Sequence, residues 1–368
     1  MTVTKHTLML MAGGTGGHIF PGLAVASYMR ERGWEVLWLG NPNDMEGTLV
    51  PKYGFKLYAI QFGGVRGKGI LTKICLPFTL LRALCQSYCR LRAARPNVVL
   101  GMGGYISFPG AMAARLLRIP LVIHEQNAVA GLSNRILAKI AQRVLCAFPQ
   151  TIAGATCVGN PVRSALFRTP LPRQRYASHV GGIRLLIVGG SRGAHALNDV
   201  VPKALALLNP DERPEVFHQS GQAQLETLQE NYFLAGVGAH TAAFIDDMAS
   251  AYSDADLVIC RAGELTVAEI AAVGVAALFI PFPAAVDDHQ TKNAEFLVSV
   301  GAGMLLQQKN LNPQNLAQRL RELTREQLVE MAITAKKQAK PQATADIARA
   351  CALLAMPGYK DTYQAGMH

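Results

Sequence analysis

The 368-residue sequence lacks the cysteine patterns of secreted and zinc-binding proteins. Its seven cysteines include no C-x-x-C pair and no cysteine–histidine cluster with zinc spacing, so we expect unpaired thiols in the reducing cytoplasm. A signal-peptide pattern is also lacking, because the apolar run at residues 7–12 leads directly into glycines. Two uncharged stretches, residues 96–114 and 270–286, approach membrane-span length. Glycine and proline interrupt both, which favours strands and turns over a transmembrane helix.

Acidic residues are scarce in the first half of the chain. Residues 1–163 hold 18 basic and 5 acidic side chains, whereas residues 164–368 hold 18 and 20. The excess positive charge therefore belongs to the first half and indicates an anionic partner, such as a phosphorylated ligand or an acidic membrane surface. No nucleic-acid partner is expected, because this half lacks an RNP, zinc-finger or basic-helix signature.

Short apolar runs rich in Val, Ile and Leu alternate with amphipathic segments along the chain. The runs are HTLMLMA, EVLWL, NVVLG, PLVIH and RVLC in the first half, and IRLLIVGG, EVFHQ, DLVIC and AALFIP in the second. Continuous hydrophobicity of this kind is typical of strands buried on both faces of a parallel sheet. The predicted fold class is α/β with doubly wound parallel sheets, and a length of 368 residues with 50% hydrophobic side chains predicts two domains.

A strand that leads into a glycine turn and a helix occurs twice. The first copy has GGTGGH at residues 13–18 and the second has GGSRGA at residues 189–194. We interpret the repeat as one doubly wound unit used twice, with two sheet domains facing each other across a cleft. The predicted domains are residues 1–160 with a C-terminal helix at about 341–368, and residues 164–340.

Glycine turns at the carboxyl end of a strand let backbone N–H groups approach a phosphate, and the following helix start adds positive charge. Alternatively, such glycines serve only tight packing between helix and strand. Neither turn is the strict G-x-G-x-x-G of nicotinamide-dependent oxidoreductases, which argues against that class. A third cluster, GMGGY at residues 101–105, predicts a second turn beside the first one in the first domain.

Seven longer motifs carry a resemblance to a known family. In order they are GGTGGHIFPGLAVA (13–26), GMGGYISFPG (101–110), HEQNAVAGLSNR (124–135), VGNPVR (158–163), GGSRGA (189–194), FIDDMA (244–249) and RAGELTVAEIA (261–271). From about residue 8 to 340 the chain closely resembles the MurG family of peptidoglycan glycosyltransferases. The resemblance implies a GT-B fold, inverting transfer of N-acetylglucosamine (GlcNAc) from UDP-GlcNAc to undecaprenyl-pyrophosphoryl-MurNAc-pentapeptide, and a peripheral location on the cytoplasmic face of the bacterial cell membrane.

Residues 261–269 read as a strand end, a glycine turn and a helix start. The resemblance implies that Glu269 accepts hydrogen bonds from both ribose hydroxyls and that the amides of Leu265 and Thr266 lie near the α-phosphate. Without the resemblance, a helix N-terminus with favourable first-turn acids, worth about 0.3–1 kcal/mol each, explains the segment equally well. The expected site in this segment is Glu264, Leu265, Thr266, Val267, Ala268 and Glu269.

Several other positions match the family's substrate-binding residues. Gln290 looks like the ligand of a sugar hydroxyl. Residues 283–288 depart from some family members, so whether His289 also binds the sugar stays open. Without the resemblance, an N-capping Asp pair at 287–288 is the simpler interpretation of the segment. The backbone of Ile245 is expected to meet uracil. Arg163 is expected to bind the nucleotide or to form an interdomain ion pair. Asn127 and Ser191 complete this group.

His18 ends the first glycine turn beside Thr15, Gly16 and Gly17, which we expect to contact substrate. An imidazole here is a candidate base for the attacking hydroxyl, a role worth about 10²–10⁴ in rate. The alternative is a histidine that orients the turn or contacts the acceptor pyrophosphate. Glu125 is the competing base.

No metal and no cofactor are expected. The sequence Asp254-Ala255-Asp256 resembles a D-x-D metal motif, but it precedes the strand LVIC and so lies at the wrong end of a sheet for a ligand crevice. Helix-start dipoles and donors at residues 191 and 264–266 are expected to stabilise the departing UDP instead.

Residues 68–95 contain six basic and no acidic residues. Ile74, Phe78, Leu81 and Leu84 form one helical stripe, and Leu84, Tyr88 and Leu91 form another that packs on the sheet equally well. Basic residues around apolar side chains suit anionic headgroups, so we expect membrane docking rather than an ordinary solvated face.

The alternative to a glycosyltransferase is a UDP-GlcNAc 2-epimerase, another GT-B enzyme, which needs no acceptor.

Overall fold

A computed structural model describes residues 6–64, 75–190 and 193–356. These residues divide into two compact units: the first contains the described residues of Met1–Val162 and Gln342–His368, and the second is Arg163–Pro341. Each unit is built on one sheet whose strand pairs are all parallel. The predicted α/β class with two doubly wound parallel sheets is confirmed.

The first unit has a seven-stranded sheet in the order β3-β2-β1-β4-β5-β6-β7. Its strands are β1 (Thr7–Met11), β2 (Glu35–Gly40), β3 (Lys56–Ala59), β4 (Val98–Gly101), β5 (Leu121–Glu125), β6 (Arg143–Cys146) and β7 (Thr156–Cys157). Its helices in this part of the chain are α1 (Gly16–Glu31), α2 (Met45–Lys52), α3 (Leu76–Ala94), α4 (Ser107–Leu116) and α5 (Leu132–Leu137). The strand order reverses between β1 and β4, so the carboxyl ends of these two strands open a crevice for a ligand.

Alternate residues of β1 enter two different cores. Leu8 and Leu10 pack with α1 on one face of the sheet, whereas Met9 and Met11 pack with α3 and α4 on the other. All four side chains are fully buried. The continuous apolar run therefore reflects a strand covered on both faces.

The second unit repeats the plan with six strands in the order β10-β9-β8-β11-β12-β13. They are β8 (Arg184–Val188), β9 (Glu215–Gln219), β10 (His240–Ala242), β11 (Leu257–Cys260), β12 (Ala276–Phe279) and β13 (Met304–Leu305). The helices are α6 (Pro172–Ser178), α7 (His195–Ala206), α8 (Leu225–Ala235), α9 (Met248–Asp254), α10 (Glu264–Val273), α11 (His289–Val298), α12 (Pro313–Glu322) and α13 (Arg325–Lys337). Short 3₁₀ turns cover Ser164–Arg168, Pro210–Glu212, Val286–Asp288 and Gln308–Asn310.

The last helix, α14 (Ala343–Ala355), packs in the first unit. Its buried residues Ile347 and Cys351 belong to the core that also contains Leu8 and Leu10. The chain thus returns to its first unit after the second is complete.

Helix α3 shows which apolar stripe packs on the sheet. Ala83 and Leu91 are fully buried, whereas Phe78 and Leu81 are 77% and 59% exposed. The stripe that includes Leu91 is therefore the inner one. Lys68, Lys73 and Ile74, also predicted to face the membrane, lie outside the described residues. Among the described helices, none combines the length and apolar character needed to cross a membrane.

Candidate active site

The first glycine turn connects β1 to α1 in front of a buried carboxylate. Gly14 has a φ of +88°, a conformation that glycine adopts without steric cost. Its N–H donates to Glu46 Oε2 at 3.2 Å, while Glu46 Oε1 accepts from the N–H of Asn41 at 3.1 Å. Glu46 is fully buried. The Gly14 amide is therefore engaged within the protein, and an acidic side chain lies directly behind the turn.

The second glycine cluster lies against the first. A Cβ at Gly104 would lie 2.3 Å from the carbonyl oxygen of Gly13, so the close approach of the two turns requires glycine. Tyr105 closes the cluster, and its hydroxyl donates to Asp44 Oδ2 at 2.5 Å. Burial and this hydrogen bond raise the pKa of the Tyr105 phenol. Two glycine turns thus lie side by side at the carboxyl ends of β1 and β4.

His18 lies in the first turn of α1 and is partly exposed. Its Nδ1 lies 3.1 Å from Oε1 of Gln126. Thr15 is exposed, and its carbonyl accepts the N–H of His18. The amides of Gly16 and Gly17 lie in the first turn of α1, where the backbone N–H groups of an α-helix lack intrahelical acceptors. The structure therefore brings together one imidazole and two helix-start amides.

Glu125 ends β5, and hydrogen bonds within its own loop hold both carboxylate oxygens. Oε1 accepts from the N–H of Asn127 at 3.0 Å, and Oε2 accepts from the N–H of Gly131 at 3.1 Å and from Asn134 Nδ2 at 2.9 Å. Glu125 is only 3% exposed. Its carboxylate therefore shapes the loop that carries the partly exposed Asn127. Of the two candidate bases, His18 is the more accessible.

The glycine turn of the second unit connects β8 to α7. Gly193 has a φ of +76°, and a Cβ there would lie 2.2 Å from the carbonyl oxygen of Ser220. Asn198 Nδ2 donates to the same carbonyl at 3.0 Å. This glycine is therefore required by close packing. Ser191, expected to bind substrate, lies outside the described residues.

Helix α10 starts directly after β11. Gly263 is its N-cap, with φ −62° and ψ 150°, and the Gly263 carbonyl accepts the N–H of Val267 at 3.0 Å. Val267 is fully buried, so neither its side chain nor its amide is available to a ligand. Leu265 and Thr266 are partly exposed, and their amides lie at the positive end of the helix dipole. Within residues 264–268, these two amides are best placed to bind an anion.

Glu269 follows in the second turn of α10. Its Oε2 accepts from the Tyr252 hydroxyl at 3.2 Å, and its Oε1 lies 3.7 Å from Arg163 Nη2. Burial raises the pKa of the Glu269 carboxyl, although Arg163 and the Tyr252 hydrogen bond act in the opposite direction. The side chain keeps 17% of its surface exposed. A carboxylate held in this way is poised to accept hydroxyl groups.

Arg163 is the first residue of the second unit, and its side chain is 58% exposed. Its ion pair with Glu269 lies within that unit, whereas the sequence left an interdomain pair open. A guanidinium has five N–H donors, so this pair leaves capacity for an anionic ligand. The structure therefore brings together two of the predicted site residues.

Gln290 lies in the first turn of α11, and the backbone holds its side-chain oxygen. Oε1 accepts from the N–H of Phe282 at 2.8 Å and from the N–H of Ala262 at 3.3 Å. Any hydrogen bond from this side chain to a sugar hydroxyl must therefore come from Nε2. Asp288 occupies the N-cap position, but its side chain caps no backbone N–H; its carboxylate accepts from the Thr291 hydroxyl at 2.7 Å instead.

Ile245 is buried, whereas Phe244 is 55% exposed. The Ile245 side chain lines a cavity of about 420 Å³ between α9 and strands β8 and β9. This cavity extends to Arg184 and Asp254, at the amino end of the sheet. It therefore leads away from the carboxyl edge at which α10 and α11 begin, so this cavity is not the expected uracil site.

Asp256, the second acid of the D-x-D sequence, stabilises the fold. Its Oδ1 lies 2.7 Å from His179 Nδ1, and its Oδ2 accepts from Arg325 Nη2 at 3.2 Å and from the Arg184 N–H at 3.0 Å. Asp256 is fully buried at the amino end of β11. Within the described ranges, no three His, Cys, Asp or Glu side chains are grouped to hold a metal ion.

Sequence reasoning missed three residues that build the first site: Glu46, His124 and Gln126. All three are fully buried. His124 and Gln126 flank Glu125 inside a motif that the sequence did single out, but no spacing rule distinguishes them. No sequence feature marks Glu46, because its contact with the glycine turn depends on how α2 packs against the sheet.

Two family models match the chain. The glycosyltransferase family 28 N-terminal domain matches residues 8–146, and the glycosyltransferase family 28 C-terminal domain matches residues 184–349. The matches fall in the first and second units respectively, apart from the last residues of the second match, which lie in α14.

Curated relatives are similar over nearly the whole chain. A protein of Burkholderia mallei (strain SAVP1) is 59% identical over 359 residues, covering 96% of this chain and 98% of its own, and one of Cupriavidus necator is 60% identical over 350 residues, covering 95% and 98%. Both are named UDP-N-acetylglucosamine--N-acetylmuramyl-(pentapeptide) pyrophosphoryl-undecaprenol N-acetylglucosamine transferase. Among solved structures, the crystal structure of Acinetobacter baumannii MurG matches with a TM-score of 0.85 and 43% identity, covering 95% of this chain and 99% of that one.

Proposed function

The chain belongs to glycosyltransferase family 28, and we propose on this basis that it transfers GlcNAc from UDP-GlcNAc to undecaprenyl-pyrophosphoryl-MurNAc-pentapeptide. The observation that carries the proposal is the 59% identity over 96% of the chain to a transferase of that name. The resemblance to the MurG family expected from the sequence motifs is confirmed, and the two parallel sheets fit its GT-B fold.

We assign the nucleotide sugar mainly to the second unit. The amides of Leu265 and Thr266 suit the diphosphate, because helix N-termini bind anions. Glu269 suits the ribose hydroxyls, since a carboxylate accepts two hydrogen bonds. Gln290 donates to a sugar hydroxyl through Nε2. The remaining proposed contacts are Asn127, Arg163, Ser191, the Ile245 backbone, Glu264 and Ala268; Val267, expected from the sequence to bind substrate, is left out because it is buried and its amide is bonded within the helix.

We assign the acceptor and its activation to the first unit. His18 takes the proton from the attacking hydroxyl as the new bond to the anomeric carbon forms on the face opposite to the departing UDP. The bond between the anomeric carbon and the β-phosphate oxygen breaks, and the electron pair leaves with UDP. Thr15, Gly16 and Gly17 hold the acceptor beside the base. The loop hydrogen bonds of Glu125 favour His18 over Glu125 for this role.

The negative charge that develops on UDP is the second requirement of the reaction. Helix-start amides aimed at that charge stabilise it without a metal ion, and the partly exposed start of α10 supplies such amides. We expect full turnover in excess EDTA. A sharp loss of turnover that Mg²⁺ restores would contradict a metal-independent reaction.

A labelled-sugar assay tests the activity directly. The purified chain, UDP-[³H]GlcNAc and a lipid-linked MurNAc-pentapeptide acceptor should yield a labelled lipid product. Incubation with UDP-GlcNAc alone is the control, because an epimerase converts the nucleotide sugar without acceptor. Conversion of the sugar in that control, with no labelled lipid in the full reaction, would refute the transferase.

The first unit also carries a surface that suits the cytoplasmic face of the bacterial membrane, where the acceptor's lipid would lie. Phe78 and Leu81 are exposed on α3, and the same helix carries the exposed Arg82, Arg90 and Arg92. Glu125, the only acidic residue between residues 47 and 163, is buried. Basic side chains contribute about 1 kcal/mol each near an anionic membrane surface, so we propose peripheral docking through α3.

Vesicle co-sedimentation tests the docking surface. Binding should require phosphatidylglycerol, weaken with salt and fall in the double variant F78S/L81S. Phe233→Ser is the matched control, because Phe233 is even more exposed, at 84%, but lies on α8 of the second unit. Binding that ignores lipid charge and salt would overturn the assignment to an anionic surface.

A further inference from the structure

A chain of side-chain hydrogen bonds connects His18 to a backbone carbonyl at the end of the first unit. His18 Nδ1 lies 3.1 Å from Gln126 Oε1, and Gln126 Nε2 lies 3.0 Å from His124 Nδ1. His124 Nε2 in turn lies 2.9 Å from the carbonyl oxygen of Gly159. Gln126 and His124 are both fully buried, so bulk water cannot replace either of these two side chains as a partner.

The carbonyl of Gly159 sets the direction of the first hydrogen bond. A carbonyl oxygen only accepts, so His124 Nε2 must carry a hydrogen and donate it. Burial lowers the pKa of His124 to about 4, which keeps the ring neutral near pH 7. A neutral imidazole with a hydrogen on Nε2 has its lone pair on Nδ1. His124 Nδ1 is therefore an acceptor.

The acceptor at His124 Nδ1 fixes the orientation of the Gln126 amide. An acceptor at His124 Nδ1 requires the NH₂ group of Gln126 on that side, which turns Oε1 towards His18. The reversed amide would place two acceptors against each other unless His124 became a buried imidazolium. Its low pKa excludes that form near neutral pH. Gln126 Oε1 thus accepts from His18, and the hydrogen of the His18 ring is on Nδ1.

We infer that Gln126 and His124 are positioning residues that hold His18 in the tautomer with hydrogen on Nδ1 and the lone pair on Nε2. The partner of one ring nitrogen decides which nitrogen is protonated. The catalytic consequence of this tautomer rests on the proposed role of His18 as base: Nε2 is left to accept the proton of the acceptor hydroxyl.

The surrounding backbone fixes this arrangement. A Cβ at Gly103 would lie 2.9 Å from His18 Nδ1 and 3.1 Å from Gln126 Oε1, so glycine is needed where the His18–Gln126 bond crosses the second glycine turn. Asn160 Nδ2 donates to the Gln126 carbonyl at 3.0 Å. The hydrogen-bonded chain from His18 through Gln126 and His124 to Gly159, hereafter the relay, therefore connects the segments that follow β1, β4, β5 and β7.

Nitrogen NMR on the full-length protein labelled with ¹⁵N-histidine reads the tautomer directly. At pH 7.5, long-range ¹H–¹⁵N spectra should show His18 protonated at Nδ1 and His124 protonated at Nε2, with His18→Ala used to assign the His18 signals. In Gln126→Leu the His18 signals should move towards the Nε2-protonated form, which predominates in unconstrained histidine. A wild-type His18 protonated at Nε2, or a tautomer unchanged in Gln126→Leu, would overturn the inference.

Kinetics of matched variants separate this inference from the proposed catalytic role. Gln126→Leu should lower kcat about 10–100-fold with little change in KM for UDP-GlcNAc, because a base in the wrong tautomer cannot take the proton. Gln126→Glu should recover the His18 tautomer and part of kcat, since a carboxylate also accepts from His18 Nδ1. Recovery should be incomplete, because a carboxylate cannot donate to His124 Nδ1 as the Gln126 NH₂ group does. Gln142→Leu is the control and should leave kcat unchanged, because it removes the same amide group at an exposed position, where Oε1 accepts from the Leu121 N–H at 2.7 Å.

The combined results identify which claim fails. A changed tautomer with unchanged kcat in Gln126→Leu would refute the base role of His18 and leave the positioning inference standing. If Gln126→Leu does not fold, the wild-type spectrum and the isosteric Gln126→Glu still test the relay. A loss of kcat in Gln126→Glu as large as in Gln126→Leu, with a normal tautomer, would also count against the proposed role of His18.

Discussion

The two units place a glycine turn and a helix start at the carboxyl ends of their central strands, but they use the amides differently. In the first unit, Gly14 donates to the buried Glu46, and the nearby His18 is held by Gln126. In the second unit, the amides of Leu265 and Thr266 are partly exposed at the start of α10. A carboxylate behind the turn disfavours a second anion, whereas an exposed helix start attracts one.

The difference teaches that a repeated fold does not repeat a function. In the proposed reaction, the first unit uses its carboxyl edge to fix a side chain that takes up a proton, and the second unit uses the same edge to hold the negative charge of UDP. Four experiments test whether the two units differ in this way.

Removal of the imidazole should have the largest effect. His18→Ala should lower kcat about 10²–10⁴-fold, the usual contribution of a general base, and leave equilibrium binding of UDP-GlcNAc near normal. His240→Ala is the control, because this histidine is exposed on β10 of the second unit. An unchanged kcat in His18→Ala would eliminate the base assignment.

Neutralisation of Glu269 should act on binding instead. Glu269→Gln should raise KM for UDP-GlcNAc about 10–100-fold, because each lost charge-assisted hydrogen bond costs about 1.5–3 kcal/mol. Its kcat at saturating donor should change less. Glu330→Gln, on the exposed side of α13, serves as the control. If kcat fell while KM stayed normal, the division between the two units would be wrong.

The carboxylate behind the first turn should matter for stability. Glu46→Gln keeps the shape of the side chain but turns an NH₂ group towards one of two backbone donors, at Gly14 or Asn41. A buried unpaired donor costs about 1–3 kcal/mol, so chemical denaturation should show a loss of that size. Glu31→Gln, exposed at the end of α1, should change stability by less than about 0.5 kcal/mol. Equal stability of the two variants would contradict the role of Glu46.

Acidification should give the smallest effect. Burial raises the pKa of Glu269, so its carboxyl becomes protonated at a higher pH than the ordinary value of about 4.3. Protonation removes the acceptor for ribose hydroxyls, so affinity for UDP-GlcNAc should fall on acidification, and the fall should begin at a higher pH than an ordinary glutamate would give. Arg163 and Tyr252, which face the carboxyl, limit the shift. The same titration of Glu269→Gln should be flat; an equal pH dependence in that variant would exclude Glu269 as its source.

The interior strands could be predicted from the sequence, but the sheet edges could not. Apolar runs such as HTLMLMA and DLVIC became β1 and β11, because a strand between two others and under two layers of helices must be apolar throughout. The edge strands β3, β7, β10 and β13 were missed. They are short and partly exposed, so their residues carry no continuous apolar signal.

The sequence by itself determined the class of the fold, the two glycine turns and the positions of His18 and Glu269, because strand ends, glycine and helix starts are local features of the chain. Only the tertiary structure decided which of these groups touch. Residues 18, 103, 126 and 159 are far apart in the chain, and their distances depend on how four segments pack at one edge of a sheet. Hydrogen-bond direction, burial and pKa arise from that packing, so the difference between a base and a structural histidine could not be read from residue type or spacing.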